Sequence, residues 1–309
     1  MSRPKLVAVG AAHIDRRGQA SGTYVAAASN PGTMREEVGG GAFNALRNAV
    51  RHGVAGAIVS TRGGDTVARA IAEAGVEDLS AVFLDRTTPS YTALIDADGR
   101  LIAGLADMAL YDIGFARHIR RRALREAIAA ADAVLCDANL PAGVIETLAG
   151  LARGWPLFAV AISPAKVVRL AGAAASLSCL FMNLREARAL AGLAEDASAR
   201  DAAIALGKAG LPSGVITDGG RPVTGFDPSG LFTIDPPSPR HVADETGAGD
   251  AVAGATVAAL MQGRRLREAV RHGLAAAMLT VESPHVVCDH DDDAFARALA
   301  LVGDVLPVA

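Results

Sequence analysis

Apolar positions along the chain keep two rhythms, short continuous runs and a helical spacing, and the two take turns. LVAVGAAHID (6–15) is an apolar run ending in polar residues, which predicts a buried strand whose C-terminal tip carries His13 and Asp15. GGGAFNALRNAVRHG (39–53) follows as a helix entered through glycines and closed by Gly53. AGAIVS then reads as a strand, and DTVARAIAEAG as a helix with Asp65 at its start and Gly75 past its end. The pattern returns in AVLCD (133–137), LFAVAI (157–162), CLFMN (179–183) and GVITD (214–218), with helical stretches between them, and from Ala248 to about Val302 it is almost wholly helical. Such alternation predicts an α/β fold, a mostly parallel central sheet covered by helices on both faces. SYTALIDADGRLIAGLAD (90–107) departs from it, reading as two strands around Asp98-Gly99 and suiting a small antiparallel sheet. The simplest partition is one domain over 1–309 with a β-lid drawn from about 16–38 and 86–108.

Composition narrows the partners. The 309 residues are 51% hydrophobic, enough for a well-buried core, and the net charge of −3 is spread along the chain. That balance points to small molecules rather than nucleic acid or a membrane surface. HIRRRALREAI (118–128) is rich in arginine, yet Phe115, Ile119, Leu124 and Ile128 give it an apolar stripe, so it reads as a helix with a solvated arginine face. Cys136, Cys179 and Cys288 are far apart and form no C-x-x-C pair, which suits a reducing cytoplasm. The N-terminal apolar stretch is too short for a signal peptide before His13 and Asp15 interrupt it. HVVCDHDDD (285–293) has metal-ligand residue types without zinc spacing and reads as a helix start.

The chemistry concentrates in DETGAGDAVAGATVAAL (244–260). If Ala248 begins a helix, the amides of Gly247, Ala248 and Gly249 point out of its positive end and form an anion site suited to a phosphoryl group in transfer. Asp250 follows on the first turn, where a carboxylate accepts the proton of an attacking hydroxyl. Taken alone, G-A-G is equally a helix start with small residues for close packing. There is no phosphate-loop motif: Gly207-Lys208 is followed by alanine, and the other lysines are Lys5 and Lys166. The glycines at 39–41 have Asn44 where a dinucleotide fingerprint needs its third glycine.

DETGAGDAVAG, with the N-terminal strand and the GGG-A-F-N helix entry, resembles the ribokinase-like (PfkB) carbohydrate and nucleoside kinases. SNPG (29–32), TPSY (88–91), ALIDADGRLIAGLADM (93–108), CDANL (136–140) and FMNLREARALAG (181–192) follow the order and style of its pseudouridine kinase branch, so the resemblance covers nearly the whole chain. It implies a three-layer α/β/α body with a small β-sheet lid and transfer of a phosphoryl group from ATP to the 5′-hydroxyl of pseudouridine. Catalysis falls to Asp250 with Gly247, Ala248 and Gly249. Asp15, Gly40, Gly41 and Asn44 would hold the ribose hydroxyls, and Thr88, Ser90, Asp107 and Met108 would face the nucleoside from the lid. Nucleotide contacts would come from Asn183, Glu186, Thr217, Gly219, Gly220 and Thr246, with Glu186 positioning Mg²⁺ through water. Lid-to-lid homodimers are frequent in the family; activation by a monovalent cation is left open.

This chain departs from that branch at four positions. His13 stands where asparagine is usual and Phe43 where arginine is usual, which bears on the substrate. Pro222 stands for a usual glycine and Val160 for a common aspartate, which bears on ATP. The rivals are a sugar kinase or another nucleoside kinase of the same fold, acting on ribose, fructose or an adenosine-like substrate, and a nucleoside-binding sensor without turnover. The intact Asp250 argues against the sensor.

Overall fold

A computed structural model describes residues 3–64 and 66–308. Asp65, expected at a helix start, lies outside the described residues. The chain opens with β1 (Lys5–Val9), β2 (His13–Ala20), β3 (Gly32–Gly39) and α1 (Gly41–Arg51). Then come β4 (Ala55–Val59), β5 (Thr61–Arg62), α2 (Thr66–Glu73), β6 (Glu77–Asp78), β7 (Ala81–Val82), β8 (Ser90–Ile95) and β9 (Leu101–Asp107). Helices α3 (Ala109–His118) and α4 (Arg122–Ala129) lead to β10 (Ala133–Asp137), α5 (Ala142–Leu151), β11 (Leu157–Val160) and α6 (Pro164–Val167), which runs on as a 3-10 turn. Next are β12 (Cys179–Asn183), α7 (Leu184–Ala191), α8 (Ala199–Lys208), β13 (Gly214–Asp218), β14 (Arg221–Asp227) and β15 (Gly230–Ile234). The C-terminal part holds α9 (Ala248–Met261), α10 (Leu266–Val281), α11 (Asp292–Ala300) and β16 (Leu306–Val308).

Ten strands form the main sheet in the order β16-β15-β14-β13-β12-β11-β10-β1-β4-β6. Pairing is parallel from β6 across to β13 and antiparallel from β13 to β16. The central strands read as unbroken apolar runs because helices cover both of their faces. Alternate side chains sort into two cores. Val7, Val9, Val134 and Cys136 pack against α3, α4, α5, α7 and α8 on one side. Leu6, Ala8, Leu135 and Phe158 pack against α1, α2, α9 and α10 on the other. The C-terminal tips of β1, β10, β11, β12 and β13 therefore open along one edge, where ligands bind in sheets of this type.

A second sheet has the order β3-β2-β8-β9, with β2 and β8 parallel and the outer pairs antiparallel. It contains the hairpin expected at 90–107. Two expectations need correction. The first apolar run is not one strand: β1 ends at Val9, and His13 and Asp15 stand on β2, in the second sheet. The chain leaves the main sheet there: the Gly10 amide makes the last ladder bond, to Val59 O (3.0 Å), and the Ala11 amide bonds instead to the Asp137 side chain at Oδ2 (3.0 Å). The arginine-rich stretch 118–128 is not one helix either; α3 and α4 meet around Ile119–Arg121, and Phe115, Ile119, Leu124 and Ile128 are all buried.

Candidate active site

A cleft of about 560 Å³ lies between the C-terminal strand tips and the second sheet. Its floor is the start of α9. This helix is small and apolar all round and is buried from Ala251 to Ala259, which is why its N-terminus can sit inside the molecule. Its N-cap, Gly247, has φ +86, and a Cβ there would stand 2.3 Å from Val286 O, so only glycine fits this turn. The first-turn amides have no intrahelical carbonyl to bond, although Ala248 N–H reaches back to Glu245 O at 3.3 Å. A Cβ built on Gly249 would meet nothing within 4 Å, so the turn faces open space on the cleft side.

Asp250 is half-buried on that turn and lines the cleft. Asn44 of α1 donates from Nδ2 to its Oδ2 at 3.0 Å, while Asn44 Oδ1 is buried with no partner. Burial pushes the Asp250 carboxyl up to about 7, against the Asn44 hydrogen bond; the charges of Asp137, Asp15 and Glu186 raise it further. A carboxylate with this pKa is matched to proton transfer near neutral pH.

Asp15 and His13 line the cleft from β2, joined by His13 Nε2 and Asp15 Oδ1 at 3.0 Å. Gly40 and Gly41 line it at the entry to α1. Gly40 has φ +112, and a Cβ there would lie 2.4 Å from Ala11 O, while one on Gly41 would lie 2.1 Å from the Ile162 Cδ1. Ile162 itself has φ 73, unusual for a β-branched residue, which ends the strand at Val160 rather than at the expected 162.

The residues expected to contact the nucleotide divide. Asn183, Glu186, Thr217 and Thr246 line the cleft, whereas Gly219 and Gly220 form the exposed turn between β13 and β14 and do not. Asn183 caps α7: its Oδ1 accepts from Glu186 N–H at 2.9 Å, and Glu186 Oε2 accepts from Asn183 N–H at 2.7 Å. Glu186 thus holds the helix start and borders the cleft at once, and burial raises its pKa despite those bonds.

Of the four residues expected on the lid, the structure brings Met108 to the cleft and places Thr88, Ser90 and Asp107 away from it. Met108 lines the cleft. Thr88 is buried ahead of β8, and its Oγ1 accepts from Gly63 N–H at 2.9 Å, so it braces a turn instead of facing the cleft. Ser90 and Asp107 pair with each other across β8 and β9, while their neighbours Tyr91 and Ala106 pair and line the cleft. Side chains alternate along a strand, so Ser90 and Asp107 fall on the opposite face.

Residues not singled out from the sequence complete the site. Asp137, fully buried at the tip of β10, accepts from Ala11 N–H, Ala42 N–H (2.9 Å) and both nitrogens of Asn139, pinning the β1–β2 turn and the α1 entry to the main sheet. A carboxylate closing the apolar run AVLCD was the available signal. Lys166 lines the cleft and donates from Nζ to Asn139 Oδ1 at 2.5 Å; burial lowers its pKa, with the Asp137 charge opposing. Among the described residues no group of three or more His, Cys, Asp or Glu side chains suits a metal, the 285–293 stretch included.

The sequence matches the family described as pfkB family carbohydrate kinase over residues 3–289. It is 25% identical over 306 residues to the pseudouridine kinase of Escherichia coli (strain K12), covering 96% of each chain. The solved structure of a carbohydrate kinase from Agrobacterium tumefaciens is 46% identical, with a TM-score of 0.87 over 99% of this chain and 100% of that one. Arabidopsis thaliana ribokinase, solved with ribose and ATP, shares the fold at 20% identity, with a TM-score of 0.83 over 97% of this chain and 99% of that one. With its ribokinase-like α/β fold and a family match that spans nearly all of it, this chain belongs to the pfkB family of carbohydrate kinases.

Proposed function

We propose that the chain is an ATP- and Mg²⁺-dependent kinase acting on the 5′-hydroxyl of a nucleoside, with pseudouridine as the preferred acceptor. The observation that carries the kinase reading is Asp250, raised to about 7 on the first turn of α9 and facing the same cleft as Asp15 and Asn44. Asp250 takes the proton of the acceptor hydroxyl, and the amides of Gly247, Ala248 and Gly249 hold the charge that develops on the group in transfer. Asp15 and the unpartnered Asn44 Oδ1 offer acceptors, and the Gly40–Gly41 entry close backbone approach, to a vicinal diol.

The cleft fits a nucleotide at its other end, where open space lies over Gly249 and Thr217, Thr246 and Asn183 stand along the wall. Mg²⁺-ATP, when bound, supplies the γ-phosphoryl group. Glu186 would reach the cation through water, as suits a metal that keeps most of its hydration shell. Met108, Tyr91 and Lys166 border the space left for the base. The likeness to the Escherichia coli pseudouridine kinase along 96% of both chains supports that acceptor. The outer face of the second sheet, which carries exposed Met34, Leu94 and Leu105, supports a homodimer through it.

A panel of pseudouridine, uridine, cytidine, adenosine, ribose and fructose with Mg²⁺-ATP tests the reading. Pseudouridine should give the highest kcat/KM, with product phosphorylated at the 5′ position. A site that pairs the extra ring N–H of pseudouridine leaves an acceptor unpaired with uridine, a penalty of about 1 to 3 kcal/mol. A tenfold or larger preference for ribose, fructose or adenosine would defeat the nucleoside assignment.

A further inference from the structure

Tyr111 is the buried tyrosine of α3, 1% exposed and outside the cleft lining, yet its hydroxyl lies 3.3 Å from His13 Nδ1. Beside it, Ser60 Oγ accepts from Ala12 N–H at 3.2 Å. The Asp15 carboxylate can only accept, so the His13 nitrogen facing it donates, and Nδ1 is left to accept from the Tyr111 hydroxyl. His13 must then carry hydrogen on Nε2, and that nitrogen stands 3.0 Å from Asp15 Oδ1. Burial raises the Tyr111 phenol well above its usual pKa, and the charges of Asp137 and Asp15 push the same way, so it stays a donor. Asp15 Oδ1 is thereby occupied. Its Oδ2 lies against Gly39, where a Cβ would stand only 2.1 Å away, and remains for the substrate.

We propose that Tyr111 is a positioning residue: by donating to His13 Nδ1 it holds the His13 ring and its tautomer, and so keeps Asp15 in place as an acceptor for the ribose diol. The relay depends on histidine at 13, whose two ring nitrogens face the Tyr111 hydroxyl and Asp15 at once. It rests on the nucleoside kinase reading for its substrate, though not for its hydrogen bonds.

Tyr111→Phe keeps the ring packed on Phe115, 5.4 Å between centroids, and removes only the hydroxyl. It should raise KM for the nucleoside by about three- to tenfold, the worth of one hydrogen bond, and leave kcat and KM for ATP within about twofold. In a His13→Ala background the same substitution should change KM no further, because the link it acts through is gone. Nitrogen NMR of the imidazole should show hydrogen on Nε2 in the wild-type enzyme and a tautomer mixture in Tyr111→Phe. An unchanged KM in Tyr111→Phe, or an equal loss in both backgrounds, overturns the proposal, the latter marking a packing role. If no acceptor in the panel is turned over, the functional reading fails by itself. The NMR arm then still decides the relay: an unchanged tautomer overturns it and a mixture supports it.

Discussion

At pH 7 a carboxyl with a pKa of about 7 is half ionised, so modest changes in acidity alter the fraction of Asp250 able to take a proton. Its carboxylate is the active form, and kcat/KM should therefore fall as pH drops below about 7 and level off above it, as a pH–rate profile would read. Asp250→Asn keeps the shape and cannot take the proton; kcat should drop by about 10² to 10⁴. A near-wild-type kcat in that variant would remove Asp250 from the chemistry. Glu186 permits a cleaner separation of roles. Glutamine still fits the capping box with Asn183, so Glu186→Gln should leave thermal stability near wild type while raising the Mg²⁺ concentration needed for half-maximal rate. An unchanged Mg²⁺ requirement would leave Glu186 as a cap alone. At this scale the sequence was legible where a residue type and its backbone position coincide, as in Gly247 through Asp250. It was silent on Lys166 and Asn139, which meet across 27 positions through a contact no local pattern announces.

Helix α9 carries Asp250, and its place is set by how closely it approaches α1 and α10. A Cβ on Gly254 would stand 2.1 Å from Ala45 O, and one on Gly273 would stand 2.3 Å from Thr256 Oγ1, so both contacts are built on glycine. Gly254→Ala pushes α9 from α1 and with it Asp250 from Asn44, whose 3.0 Å bond crosses that seam. We expect a cost of about 1 to 3 kcal/mol, a Tm several degrees lower in a thermal melt, and a lower kcat even well below the melt. A variant with wild-type kcat would show that the seam does not set Asp250. The strands of the main sheet were readable because burial on both faces writes an unbroken apolar run, and AVLCD, CLFMN and GVITD match β10, β12 and β13 residue for residue. Of the second sheet, the hairpin was readable strand by strand, and 16–38 was assigned to the lid without its strands. Which of its faces meets the cleft depends on β2 pairing in parallel with β8, some 76 residues on (Ile14 with Ser90), and that long-range register is what put Tyr91 and Ala106 inward in place of Ser90 and Asp107.

The same register exposes an apolar surface on the whole molecule. Gly18 pairs with Met34 on one side and with Leu94 on the other, and Leu105 pairs with Thr92, so Met34, Leu94 and Leu105 share the face turned from the cleft. Met34 and Leu105 are 60% and 73% exposed, and a Cβ on Gly18 would already touch Leu94 and Met34, which close over it. A sheet with one face on a cleft and the other carrying bare apolar side chains is unfinished as a monomer surface. A second copy laid against that face would bury it and would brace β2, the strand that carries Asp15 and His13. The wild-type chain should therefore run at twice the monomer mass in light scattering at micromolar concentration. Leu105→Glu places a charge at the centre of the proposed contact, where burial without a partner is costly, and should shift the protein to the monomer. Loss of the partner should also loosen β2, so the monomeric variant should show a higher nucleoside KM with kcat less affected. A monomeric wild-type protein, or a Leu105→Glu dimer as stable as the parent, would set this surface aside as the site of assembly.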